Sequence, residues 1–128
     1  MGAVRMTRRS KFVDERAKRY IDYVTILRSK AKQCMKENNL YILNDMPVKL
    51  TIEFHFLPPK SYSKAKLQKI LNGQLMYTKK PDVDNMVKGV MDALNGTLYH
   101  DDNQVVMVSA LKKYSTFNGI RIKAEPLF

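Results

Sequence analysis

The chain has 128 residues, 45% of them hydrophobic and 27% charged, and its net charge is +11. That length makes one domain, residues 1–128, able to bury roughly two-thirds of its unfolded surface without staples. No apolar run approaches the ~18 residues that span a bilayer, and the opening MGAVRMTRRSK lacks a secretory hydrophobic core. A membrane or secreted disulfide protein is therefore not expected, and a reducing cytoplasm is. The single cysteine, Cys34, can form no internal disulfide; its place on the apolar side of a helical pattern predicts a buried thiol.

A basic arm (residues 1–13) opens the chain with Arg5, Arg8, Arg9 and Lys11. From Asp14, apolar residues recur at three- and four-residue steps (Ala17, Tyr20, Ile21, Val24, Leu27, Ala31, Cys34, Met35), predicting an amphipathic helix that ends near Asn38-Asn39. Eleven basic side chains stand among residues 1–36 against three acids, a field that concentrates polyanions and points to nucleic acid. After Pro47 the period falls to two: Val48, Leu50, Ile52, Phe54 and Phe56 alternate with polar residues, predicting a strand with one buried face.

Pro58-Pro59 stops that strand, and Ser63 begins a short helix with Leu67, Ile70 and Leu71, closed by Asn72-Gly73. A loop with Lys79 and Lys80, two further candidate DNA contacts, leads through Pro81 into a second helical stripe of Met86, Val87, Val90, Met91 and Leu94. Asn95-Gly96 ends it. Gln104–Leu111 is apolar on both faces and reads as a central strand, and Asn118-Gly119 turns into an alternating strand at Ile120–Ala124. The order predicts an α+β fold with helices packed on one side of a small mixed sheet.

Between Asp82 and Asp102 the charge reverses: five of the chain's twelve acids (Asp82, Asp84, Asp92, Asp101, Asp102) accompany Lys88 as the sole lysine or arginine. Asp84 reads as a helix N-cap, since orphan backbone N–H groups favour a carboxylate there. Capping does not account for Asp82 or for the Asp101-Asp102 pair. Carboxylates crowded together raise one another's pKa, and Mg²⁺ or Mn²⁺, which takes carboxylate, water and phosphate oxygens, relieves the conflict. Lys88 lies one helical turn after Asp84, as a salt-bridge partner or as a cation for a scissile phosphate. His100 and His55 are weaker candidates for a base.

The run Lys80-Pro81-Asp82-Val83-Asp84-Asn85-Met86-Val87-Lys88, then Met91-Asp92-Ala93-Leu94 and Asp101-Asp102-Asn103-Gln104-Val105-Val106, resembles the RusA family of Holliday junction resolvases. The resemblance implies a RusA-like homodimer: a Mg²⁺-dependent endonuclease that binds four-way DNA junctions and nicks opposing strands symmetrically in recombination and repair. It implies that Asp82, Asp84 and Asp102 bind the metal and that Lys88 assists. Many members begin with a β-strand before the basic arm, whereas this chain opens at Gly2-Ala3-Val4-Arg5. Two other readings share the residues: a basic DNA-binding module without catalysis, and a metal-dependent nuclease for other branched DNA.

Overall fold

The computed structural model describes residues 8–127. Three helices, α1 (Arg8–Glu37), α2 (Lys64–Leu71) and α3 (Val83–Leu94), accompany three strands, β1 (Val48–Phe56), β2 (Val105–Tyr114) and β3 (Gly119–Pro126), and a one-turn 3₁₀ helix at Asp102–Gln104. The strands form one mixed sheet in the order β2-β1-β3, with β2 parallel and β3 antiparallel to β1. The α+β expectation holds. No helix among the described residues is long and apolar enough to cross a membrane.

The alternation in β1 builds the core. Val48, Leu50, Ile52 and Phe54 are fully buried on one face, where Val90 and Leu94 of α3 and Tyr99 join them, and Leu27 and Ala31 of α1 pack at the margin. The pairs Leu50↔Ala124, Ile52↔Ile122 and Phe54↔Ile120 extend this face across β3. The two helix ends are tied together: Arg28 of α1 donates from Nε to the Ala93 carbonyl at 3.2 Å and from its terminal nitrogen to the Asp92 carbonyl at 2.7 Å. These two carbonyls, in the last turn of α3, have no intrahelical partner of their own.

Several expectations are corrected. The first helix begins at Arg8 rather than Asp14, so Arg8, Arg9 and Lys11 belong to α1 by backbone and not to a free arm; Arg5 lies outside the described residues. Cys34 is exposed, because the apolar stripe of α1 meets α3 and the sheet only along Val24, Leu27, Ala31 and their neighbours. No residue of α2 is buried, although Ser63 caps it as expected by accepting from the Lys66 N–H at 3.2 Å. β2 is an edge strand, not the central one. An edge strand that is apolar on both faces has the same pattern as a central one; here Val106, Met107, Val108 and Leu111 stay 58%, 48%, 42% and 40% exposed. Nor is Asp84 the N-cap of α3: Asp82 occupies that position with extended backbone, and Asp84 falls in the first turn.

Candidate active site on α3

The approach to α3 is pinned from three sides. Lys112 of β2 donates from Nζ to the Lys79 carbonyl at 2.7 Å and the Pro81 carbonyl at 3.0 Å, and the Tyr77 hydroxyl donates to the Lys80 carbonyl at 2.8 Å. The Lys80-Pro81 peptide is cis. The chain thereby enters α3 with Asp82 still extended and Asp84 helical, both exposed. Neither carboxylate accepts a hydrogen bond from the protein among the described residues, so their oxygens are free for an external ligand. They also sit where the α3 N–H groups and helix dipole favour negative charge.

The other acids lie toward the far end of the same helix. Asp92 follows Asp82 by ten residues, about 15 Å along the axis. It accepts a hydrogen bond from the Tyr20 hydroxyl, and burial together with that bond pushes the Tyr20 pKa up to about 12. Asp101 and Asp102 form a hydrogen-bonded pair near it. Asp102's carboxyl is raised above its ordinary 3.8, first by its bond to Asp101 and then by burial, with the negative charges of Asp101 and Asp92 adding to the effect. Asp101 is lowered, first by the Asn103 N–H and then by Asp102. Among the described residues no three His, Cys, Asp or Glu side chains stand together closely enough to hold an ion. The structure thus brings Asp82 next to Asp84, and Asp102 next to Asp101 and Asp92, in two sets.

Lys88 projects from α3 between the sets. It pairs with neither Asp84 nor Asp92, and its Nζ stands 5.9 Å from the centre of the Tyr20 ring. Its charge is therefore not consumed by a carboxylate. Lys79 and Lys80 are exposed on the entry loop, and Lys79 Nζ lies 5.5 Å from the Tyr62 ring centre, with Lys66 at 4.6 Å. The Tyr62 and Tyr114 hydroxyls bond at 3.0 Å, with the Tyr114 pKa pushed up to about 12 and that of Tyr62 lowered, each chiefly by the other. His55 is buried, stacked on Phe117 and bonded to Glu53, away from α3; His100 donates its backbone N–H to Gln104.

Gln104 was read in sequence only as part of a motif. Its Oε1 accepts from the His100 and Asp101 N–H groups at 2.9 and 3.1 Å, and its Nε2 donates to the Leu43 and Met46 carbonyls, both at 3.1 Å. One amide thus fastens the Asp101-Asp102 turn to the segment before β1. Asp101 completes the turn by accepting from the Asn103 N–H at 3.1 Å, a capping box that gives it a structural task. Tyr20 and Tyr23 of α1 were likewise missed as site residues, because they occur within an apolar helical stripe. The available signal was Gly89, a glycine inside α3 that marks a close approach.

A family model described as endodeoxyribonuclease RusA matches residues 2–125. The chain belongs to the RusA family. A curated relative, an uncharacterized protein YqaN of Bacillus subtilis (strain 168), is 49% identical over 71 residues, 54% of this chain and 50% of the relative. The chain thus matches about half the length of that relative. Within the RusA family context, the two acid sets joined by α3 are the parts of the molecule that carry the signature.

Proposed function

We propose that this RusA-family protein is a Mg²⁺-dependent endodeoxyribonuclease that resolves four-way DNA junctions by paired symmetric nicks, acting as a homodimer in the cytoplasm, with Mn²⁺ as a substitute ion. The observation that carries this reading is the family match over residues 2–125, which includes all the acids of α3 and its flanks. The donor chemistry fits a hard cation: Asp82 and Asp84 are exposed oxygen ligands with no protein hydrogen bond to surrender. Asp102 completes the ligand set when the far end of α3 is brought to that pair, on DNA or by the second copy. When bound, the ion supplies Lewis-acid activation of the scissile phosphate and of an attacking water.

The chain's own residues do the rest. Lys88, unpaired, faces the negative charge that develops on phosphorus oxygens, and Lys79 and Lys80 take the flanking phosphates, joined by Arg5, Arg8, Arg9 and Lys11. Lys112 and Tyr77 keep the Asp82 loop in place.

The homodimer is supported by β2. Residues 105–111 hold no charge, proline or glycine, the devices that normally blunt an exposed edge. Antiparallel pairing of two β2 edges about a two-fold axis joins apolar residues and sends Lys112 and Lys113 of each copy to opposite ends. Two sites related by that axis match the two-fold symmetry of a junction.

The test is a synthetic four-way junction with Mg²⁺ titrated in. Paired nicks that need the ion are expected, with Asp82→Asn binding the junction but leaving it intact. Binding without cleavage by the parent at any Mg²⁺ or Mn²⁺ concentration refutes the nuclease and leaves a DNA-binding module. Preferential cutting of flaps in competition transfers the activity to other branched DNA.

A further inference from the structure

Beside the Asp82–Asp84 pair a cleft of about 280 Å³ opens between α1 and α3, lined by Arg19, Tyr20, Tyr23, Pro81, Asn85 and Met86. Its size is at the small end of ligand cavities, which run about 300–1,000 Å³, and suits a single planar ring system. The walls are almost wholly apolar and two of them are tyrosine side chains. Tyr23 adds a second, separate observation: its hydroxyl is buried and has no hydrogen-bond partner. Buried polar groups in folded proteins are nearly always paired, so an unpaired one in the wall of a cleft is a donor and acceptor awaiting a ligand. Tyr23 is held there by Gly89, whose missing side chain admits the ring against α3; a Cβ at that position would lie 2.5 Å from Tyr23 Cε1.

We propose that this cleft takes one unstacked DNA base flanking the phosphate at Asp82–Asp84, and that the Tyr23 hydroxyl reads its hydrogen-bonding edge. The inference rests on the nuclease reading for what the occupant is, since the two residues that border the acid pair, Pro81 and Asn85, also border the cleft. Charge agrees with the choice. Lys88 stands near the Tyr20 ring, on the route a strand takes from the acid pair to the cleft, and the described part of α1 is strongly basic. Bases without their neighbours stack on aromatic side chains, and proteins that extrude a base hold it by stacking plus hydrogen bonds to its edge. A base in this cleft ties cutting to local sequence at the branch point, so the enzyme cuts some positions of a mobile junction far more than others.

The experiment uses the full chain and its Tyr23→Phe variant, which keeps the ring and removes only the hydroxyl. Cut sites are mapped on junctions whose homologous core lets the branch point migrate through many sequences. The parent is expected to favour a few sites. In Tyr23→Phe the ratio of favoured to average sites falls about fivefold, the loss expected for one hydrogen bond. The variant should melt at or above the parent, since the deleted hydroxyl had no partner, which separates this loss from unfolding. In parallel, 2-aminopurine is placed at single positions near the branch point with Ca²⁺ replacing Mg²⁺. Its emission on binding should change at one position more than elsewhere, and that excess should vanish in Tyr23→Phe. Unchanged site ratios in the variant, or 2-aminopurine emission that is the same at every position, as when other residues of the chain fill the cleft, overturn the proposal. A parent that cuts nothing but still gives the position-specific emission, lost in the variant, refutes the nuclease while leaving the base pocket standing.

Discussion

Gly89→Ala tests the packing on which the site is built, because two opposed effects can be weighed. In the middle of a helix alanine is favoured over glycine by about 1 kcal/mol. Against this, the new Cβ would stand 2.5 Å from Tyr23 Cε1 and 3.0 Å from Cδ1, so the ring or the helix must move. The contact is with the body of a half-buried ring rather than the tip of a flexible chain, and overpacking of this kind costs about 1–3 kcal/mol. The net is a destabilisation of about 1 kcal/mol. At ~2.1 cal/mol/K of unfolding entropy per residue, a chain of this length loses about 4 °C in Tm. Thermal melts by circular dichroism, without metal and at fixed salt, read this directly. The decisive comparison is the double-mutant cycle with Tyr23→Ala: once the ring is gone, Gly89→Ala should raise Tm by about the same 4 °C, a coupling of about 2 kcal/mol. Equal effects of Gly89→Ala in both backgrounds refute the apposition of Tyr23 on α3.

Three further outcomes are expected. Asp102→Asn should stabilise the metal-free protein at neutral pH. A carboxyl raised in the folded state favours folding below its ordinary value and costs stability as pH rises past it, so the Tm advantage should grow from about pH 4 upward and disappear in acid. An advantage that is flat with pH, or absent, refutes the shared bond with Asp101. Gln104→Ala leaves four backbone groups at 43, 46, 100 and 101 without their partner and should cost about 2–3 kcal/mol, near 10 °C in Tm; a loss under 2 °C shows that water replaces the amide. Val108→Lys should convert the dimer to monomer in light scattering with Tm nearly unchanged, since this side chain is 42% exposed on the β2 edge; dimers that persist place the interface elsewhere.

How much of this was legible beforehand varied with the physics behind each pattern. β1 announced itself because one face is buried and the other is not, so its period of two is the imprint of the core. α3 was equally plain, since a buried stripe and a charged stripe separate on a helix. β2 was misplaced for a symmetrical reason: apolar residues on both faces mean either two covered faces or an uncovered strand that needs a partner, and one chain's sequence does not distinguish them. Cys34 failed because helical periodicity continues past the point where α1 has anything to pack against. The Gln104 hub could not be read at all, for two of its four bonds reach the 43–46 segment about 60 residues away. The metal residues stood out as a charge reversal, while their division into two sets depends on helix length and on where the turn at Asp101 docks.

That division also shows why acids on one stripe are not equivalent. At the N-terminal end of α3 the helix itself favours anions, so Asp82 and Asp84 need no protein donor and keep their oxygens open. At the C-terminal end the same field opposes them. There the protein supplies compensation: Arg28 covers the Asp92 and Ala93 carbonyls, Tyr20 gives Asp92 a hydroxyl, and Asp102 holds on to its proton against Asp101. Each of these arrangements uses up valence that an ion would need. The availability of a carboxylate on α3 is thus decided by its distance from the helix N-terminus, and the pair that the fold leaves unpartnered is the pair beside the tyrosine-lined cleft.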